Sequence, residues 1–359
     1  MNCDLILSSK TIKAEASRLG FSACGIAKGK AVDEETAACF KEWLQQNGHA
    51  EMKYMENHLE KRLDPTLLLP GLQTIVCVAL NYTPKTRIPD DQYQIAAYAY
   101  GQDYHTILKN KLHLLAKAIF PSVTVKQEAN SFICAVDTVP ILERYWALQA
   151  GLGWIGRNHQ LIIPGIGSQV FLGELLLTFP ADTYDTPQPN RCGSCLRCVE
   201  ACPTHALSDP RHLQSSDNIH NPTSFLKNPA IQFDTFPSIE CLSYLTIENR
   251  GSIPQEKATL MKNYIYGCDR CQIVCPWNQT NQPTTDPQLQ PKSELLEMTK
   301  TKWQHLSQQQ YQMLFKGSAV KRAKYDGLMR NIAAVAQQEK HITSITTTSS
   351  NTKFFKNKN

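Results

Sequence analysis

Apolar positions recur with helical spacing over residues 5–19, and the pattern stops at Gly20, a residue suited to the left-handed position after a helix. Phe21 to Ala27 reads as a short strand, and a second helix is predicted over Asp33–Asn47 with Gly48 as its stop. Pro70-Gly71 is a turn signal ahead of Thr74–Leu80, whose continuous apolar run predicts a buried strand. Asp103 precedes a helix with apolar positions Ile107, Leu108, Leu112, Leu115 and Ile119, ended by Pro121. Val139–Leu152 is predicted as another helix, and Leu161–Ile163 and Val170–Phe179 as strands of a central sheet. This alternation predicts an α+β domain over residues 1–185. Residues 181–190, rich in Pro, Asp and Thr, read as a linker into a second module over 186–285. Within it, 207–237 is polar, Pro-rich and without periodicity, an inserted loop. Residues 286–338 form a helical segment, and the Ser/Thr/Asn/Lys-rich stretch 339–359 is expected to be a disordered tail.

Composition narrows the class. At 359 residues, 42% hydrophobic and 8% aromatic, the chain can hold two or three domains with a sizeable core. A net charge of +5 permits a polyanionic partner without demanding one. The first ten residues lack a basic stretch followed by a long apolar one, and no apolar run is long enough to span a bilayer. A cytoplasmic protein that does not engage membranes is expected, in a compartment where thiols stay reduced.

Eight of the thirteen cysteines carry the first chemistry. Cys192-Gly-Ser-Cys195-Leu-Arg-Cys198-Val-Glu-Ala-Cys202-Pro203 has the C-x2-C-x2-C-x3-C-P spacing of two-cluster ferredoxins, in which the fourth Cys of a run ligates the other cluster. Cys268-Asp-Arg-Cys271-Gln-Ile-Val-Cys275-Pro276 is the second run, and Cys241 stands between them. The spacing assigns Cys192, Cys195 and Cys198 to one [4Fe–4S] cube with Cys275 crossing over. Cys268 and Cys271 hold a second cube with Cys202 crossing over, and Cys241 is the candidate for its remaining corner. The competing reading is a pair of zinc sites, but zinc knuckles pair two C-x2-C hooks, whereas three closely spaced ligands wrap a single cube. Two clusters in series conduct single electrons. Cys3, Cys24, Cys39, Cys77 and Cys134 receive no role; Cys77 reads as a small hydrophobe in its strand.

The segment from Ala135 to Asn158 is the second informative feature. Asp137 lies just ahead of a predicted helix with Pro140 in its first turn, so its plainest role is an N-cap. Glu143 and Arg144 read most simply as a solvated helical pair. Gly151, Gly153 and Gly156 are harder to assign to packing; they let the backbone approach a partner closely, and a large planar cofactor would suit. They follow a helix rather than open one after a strand, so a dinucleotide fingerprint is a weak reading.

That segment, together with Tyr98-Ala-Tyr-Gly-Gln-Asp-Tyr104-His105, the first cysteine run, Cys241-Leu-Ser-Tyr-Leu-Thr-Ile-Glu248 and Gly267-Cys-Asp-Arg-Cys-Gln-Ile-Val-Cys-Pro-Trp277-Asn278, resembles epoxyqueuosine reductases up to about residue 335. The resemblance implies an N-terminal cobalamin-binding α+β domain, a ferredoxin-like domain with two [4Fe–4S] clusters and a short helical C-terminal segment. It implies reduction of epoxyqueuosine to queuosine at the wobble base of tRNA, the last step of that modification, with electrons from an external donor of flavodoxin or ferredoxin type and a monomeric enzyme. It makes Asp137 the proton donor, repeats the cysteine assignment made from spacing, and puts Tyr104, Asp137, Asn158, Gly167 and Ser168 at the corrin. Arg144 is implied as a contact to RNA. The connection between Cys202 and Cys241 is longer than the family's usual one, and the C-terminal helical repeats of longer members are mostly missing.

The chemistry sets further expectations. Converting an epoxide to an alkene takes two electrons and two protons, and a neutral carboxylic acid beside the oxygen can supply a proton. Burial against an apolar corrin face is expected to raise the Asp137 pKa for this purpose. Lys321, Arg322, Lys324 and Arg330 fall in one predicted helical stretch, a basic face suited to phosphate, with Arg157 near the active segment. Two rivals remain: a reductive dehalogenase-like corrinoid enzyme acting on a small organic substrate, and a bare electron-transfer subunit. Against the second, about 190 residues precede the first cysteine run.

Overall fold

The computed structural model describes residues 6–120, 131–207 and 236–353, with side chains as far as Glu339. Its N-terminal half is built on a four-stranded antiparallel sheet in the order β1 (Ala23–Lys28), β2 (Thr74–Asn81), β7 (Val170–Leu177), β4 (Phe132–Ala135). The remaining strands are short: β3 (Gln94–Ile95), β5 (Trp154–Ile155), β6 (Leu161–Ile162) and β8 (Tyr264–Tyr266). Strand β2 explains its own apolar run. Val76, Val78 and Leu80 pack on one side with α1 (Ser9–Arg18) and α4 (Tyr104–Ile119). Ile75, Cys77 and Ala79 pack on the other with α2 (Glu34–Gln45), α3 (Leu59–Leu63) and α5 (Glu143–Gln149). Antiparallel sheets commonly leave one face to water and alternate accordingly. Here helices cover both faces, so β2 is apolar throughout.

Caps fix where the helices begin. Asp33 accepts from the Thr36 N–H at 2.8 Å, and Asp103 from the His105 N–H at 3.1 Å. Each such cap contributes about 1 kcal/mol. Two expectations need correction. The helix predicted from Val139 starts only at Glu143, with Leu142 at its N-cap position. Asp137 is therefore not a cap; it sits in the preceding loop at φ 53°, which L-residues visit rarely. Leu161–Ile162 does not join the central sheet but pairs antiparallel with Trp154–Ile155 in a separate hairpin.

The C-terminal half shares one core. Leu242, Leu245 and Ile247 pack with Met261, Ile265 and Tyr266, and the same cluster takes in Trp303, Phe315, Leu328, Ile332 and Val335. The helical segment after residue 286 thus has no separate core; it closes the one under the second cysteine run. Parallel pairing of β3 with β8 ties this half to the first. The last helix, Lys324–Lys353, runs past the limit at 338 set by composition, so the tail expected to be disordered is helical up to Lys353. Most of the predicted insertion, residues 208–235, lies outside the described residues. Among the described residues, no helix is long and apolar enough to cross a membrane.

Candidate active site and cluster ligands

Asp137 stands on an exposed rim, with 57% of its side-chain surface accessible. Three groups hold it. The Tyr104 hydroxyl donates to Oδ2 at 2.6 Å, His105 Nε2 lies 3.3 Å from the same oxygen, and the Asp137 N–H donates to Glu143 Oε1. The sequence brings them together in a simple way. The Asp103 cap starts α4, which puts Tyr104 and His105 on its first turn facing the loop after β4. Tyr104 is stacked on Phe171 of β7, rings parallel within 5° and 4.3 Å apart. His105 is tethered at its other nitrogen, Nδ1 lying 2.6 Å from Asp103 Oδ1.

Electrostatics here departs from expectation. The hydrogen bond with His105 holds the Asp137 carboxyl below the usual carboxylate range; burial works against this, and Tyr104 adds to it. The raised pKa expected from burial is absent because the carboxylate has a cationic partner. Burial alone would lower His105, but its contacts with Asp103 and Asp137 prevail and lift it to about 9. Glu143, read from sequence as a solvated residue, is half-buried; burial and then Asp137 push it up to about 7. Beneath the site, Glu174 of β7 is completely buried, neither carboxyl oxygen has a partner, and burial raises its pKa well above normal.

The glycines also change meaning. A Cβ on Gly153 would lie 2.0 Å from the Ile162 carbonyl oxygen, on Gly156 2.4 Å from Ile162 Cδ1, and on Gly151 2.7 Å from the Thr186 carbonyl oxygen. The close approaches are to the chain itself: Gly153 and Gly156 let the Trp154–Ile162 hairpin close, and Gly151 lets residues 185–186 pass. Gly167 and Ser168 face the cluster module, where the Ser168 N–H donates to Asn278 Oδ1 at 2.6 Å and Asn278 Nδ2 donates to Ser168 Oγ at 2.9 Å. Asn158 is buried, and its side-chain N–H donors have no partner.

Two short helices, Arg197–Glu200 and Arg270–Ile273, carry Cys198 and Cys271. Cys275 packs with Cys192, Trp154 and Trp277, although 83 positions separate it in sequence from Cys192. Burial raises the Cys198, Cys241, Cys271 and Cys275 thiols, and the repulsion each feels follows the spacing argument. Cys198 feels Cys192, Cys275 and Cys195, whereas Cys271 feels Cys268 and Cys241, and Cys241 feels Cys202. Cys271 also feels Cys198, so the two cysteine runs are neighbours.

Comparison with known proteins agrees with this geometry. Residues 62–138 match the family model described as "Epoxyqueuosine reductase QueG, DUF1730", and residues 191–278 match the "4Fe-4S double cluster binding domain". An epoxyqueuosine reductase of Cellulophaga algicola is 40% identical over 324 residues, 90% of this chain and 96% of that protein. The chain belongs to the epoxyqueuosine reductase family. Among solved structures, an epoxyqueuosine reductase with an epoxyqueuosine-modified tRNA-Tyr stem loop superposes with a TM-score of 0.75 at 26% identity, covering 91% of this chain and 80% of that one. The Bacillus subtilis enzyme with its catalytic aspartate loop swung out of the active site superposes with a TM-score of 0.73 at 25% identity, with the same coverage.

In this family member the basic residues singled out from sequence divide into two kinds. Arg144 turns inward and donates to the His159 carbonyl. Arg330 is likewise structural, donating to the carbonyls of Asn249, Gly251 and Leu245, and Arg157 reaches the Gly193 carbonyl at 2.7 Å. Lys321 and Arg322 are exposed, on the turn Ala319–Ala323 rather than on one long helix. Arg322 forms a two-pronged pair with Glu248, both contacts 2.9 Å, and its guanidinium lies 5.2 Å from the centre of the Tyr54 ring. Its charge also reaches Asp137. The reductase therefore carries an exposed aromatic and a cation at the rim of the Asp137 site. Sequence reasoning missed Tyr54, His105, Glu143 and Glu174. His105 left a signal, two positions after a capping Asp within a motif already singled out, and Glu143 lay in the other singled-out segment but was read as solvated.

Proposed function

We propose that this reductase converts epoxyqueuosine to queuosine at the wobble position of tRNA, the last step of queuosine biosynthesis, with Asp137 passing protons to the substrate oxygen. The observation that carries this reading is the exposed Asp137 carboxylate, held by Tyr104 and His105, in a chain whose cysteine-rich stretch 191–278 matches a 4Fe-4S double cluster binding domain. Cys192, Cys195, Cys198 and Cys275 would hold one [4Fe–4S] cluster, and Cys202, Cys241, Cys268 and Cys271 the other. An all-thiolate donor set fits iron–sulfur clusters.

Cobalamin also fits. Asp137 is exposed, Tyr104 and Phe171 stack into a flat aromatic face beside it, and the unpartnered amide of Asn158 is a ready donor to a polar edge. Gly167 and Ser168, locked onto Asn278, would position the strap behind it. Bound there, the corrinoid would supply the low-valent metal that carries electrons to the epoxide. The chain's own residues do the rest. Tyr104 fixes Asp137 Oδ2, Glu143 fixes its backbone, and Lys321 and Arg322 offer charge to the RNA backbone. Arg144 would act through the 156–160 loop it braces. Electrons would come from a flavodoxin- or ferredoxin-type donor to a monomeric enzyme in the cytoplasm.

The test is tRNA-dependent turnover. Anaerobically reconstituted protein with cobalamin, a strong reductant and epoxyqueuosine-containing tRNA should yield a nucleoside lighter by one oxygen by mass spectrometry. Asp137→Asn should retain iron, sulfide and cobalamin yet lose turnover by about 10²–10⁴-fold, the usual worth of a positioned proton donor. Near-normal activity in that variant removes Asp137 from the chemistry.

A further inference from the structure

The reduction consumes two protons, whereas a carboxyl group holds one. Both epoxide C–O bonds break, a C=C bond forms, two electrons arrive from a one-electron donor, and two protons leave with the oxygen as water. The first proton meets the oxygen as one C–O bond opens and leaves a hydroxyl. The second lets that hydroxyl depart. Asp137 must therefore be reloaded within each turnover, and its resting state here is the ionised one. The inference rests on the function proposed above.

We propose that His105, clasped between Asp103 and Asp137, is the residue that reloads Asp137 with each proton. Its Nε2 is 3.3 Å from Asp137 Oδ2 and its Nδ1 is 2.6 Å from Asp103 Oδ1. Its side chain is 34% exposed, so it can take protons from water. The other neighbours are less suited. Tyr104 touches the same oxygen, but burial and Asp137 hold its own proton tightly, its pKa far above the ordinary phenol value. Glu143 meets the backbone N–H of Asp137 rather than the carboxylate. Arg322, Arg62 and Arg144, whose charges also couple to Asp137, cannot give up a proton near neutral pH. Among the described residues His105 alone joins a titratable, water-accessible proton to Oδ2. The path is His105 Nε2 to Asp137 Oδ2 to substrate oxygen, used twice. Asp103 keeps the ring oriented and cationic.

The groups that face His105 are Asp103 and Tyr104 from its own turn, Asp137 from the loop opposite and Glu143 from the start of α5. The sign follows from them. His105 is raised to about 9, so the proton is present at neutral pH and lost as pH rises through that value. Turnover of the holoenzyme should fall on the same limb. His105→Gln, which keeps an N–H but cannot titrate, should keep its cluster and cobalamin spectra and the KM for tRNA within about twofold, while kcat drops at least about 10-fold and the alkaline limb near pH 9 vanishes. Asp103→Asn, which still caps α4, should move that limb to lower pH by about one unit. A second readout needs no turnover. In NMR titration of the oxidised holoenzyme, the ring signal missing from His105→Gln should titrate near 9 in the wild type and lower in Asp103→Asn. Wild-type kcat and pH profile in His105→Gln, or a ring titrating at the ordinary value of about 6.5, overturns the proposal. Loss of turnover in the wild type itself would count against the proposed function instead, and the NMR result would still decide the state of His105.

Discussion

At the scale of single residues, the site is a balance among charges that each depend on the next. Asp137 stays ionised because His105 faces it, and Glu143 is pushed to about 7 by burial and by Asp137. The second shift has a sign that stability measurements can read. A carboxyl whose folded pKa lies above its unfolded value of 4.5 favours the folded state fully at low pH, and that contribution is lost as pH rises through the folded value. Glu143→Gln keeps an acceptor for the Asp137 N–H but does not titrate. Its melting temperature relative to the wild type should therefore increase between pH 5 and pH 8. At the upper end the variant gains on the order of 1 kcal/mol, discounted because Glu143 is only half-buried. A Tm difference that is flat with pH would mean that Glu143 ionises normally.

At the scale of elements, β7 raises a question that its sequence conceals. In Val-Phe-Leu-Gly-Glu-Leu-Leu-Leu the one carboxylate, Glu174, sits opposite Cys77 of β2 and Ala135 of β4 and has no partner for either oxygen. A buried polar group without a partner costs about 1–3 kcal/mol. Glu174→Met, of similar length, should raise the urea midpoint by an amount worth about that much; a lower midpoint would show that the carboxyl is satisfied in solution. Other features of this half are legible in the chain because they are local: the apolar run of β2, the spacing of α4, the Asp caps. The double-cluster signature is legible for the same reason, since ligand spacing is short-range chemistry, and a 4Fe-4S double cluster family model matches residues 191–278. The 136–142 loop was not legible. Pro140 and the apolar positions around it suit a helix, and only Tyr104, His105 and Glu143, arriving from α4 and α5, hold Asp137 at positive φ. The glycines of 151–156 were misread for a related cause: their close neighbours are Ile162 and Thr186, and nothing local shows which atoms will fill the space.

At the scale of the whole molecule, the shared core under Cys241 and Cys268 fixes the turn at 319–323 relative to the sheet domain, and so sets Lys321 and Arg322 at the rim near Asp137. A net charge of +5 is modest, so tRNA affinity must come from where the charge lies rather than from how much there is. Each phosphate contact by Lys or Arg releases counterions, and its removal lowers the slope of log affinity against log salt by about 0.7–0.9. Lys321 is exposed, with no ion pair among the described residues, so Lys321→Ala should flatten the slope by nearly the full single-contact amount and weaken binding modestly at low salt. Arg322 differs because Glu248 already holds it. Arg322→Ala removes a cation and also leaves the Glu248 carboxylate bare beside the path of the RNA, so its affinity loss at low salt should exceed that of Lys321→Ala. Glu248→Gln reverses the argument: it frees the guanidinium and should tighten tRNA binding while steepening the slope. Fluorescence anisotropy with a labelled anticodon stem loop across a salt series reads all three variants. Identical slopes in the wild type and both cation variants would mean that the RNA lies on another face, and a weakening in Glu248→Gln would mean that the Arg322 pair is needed to build the rim rather than to restrain its charge.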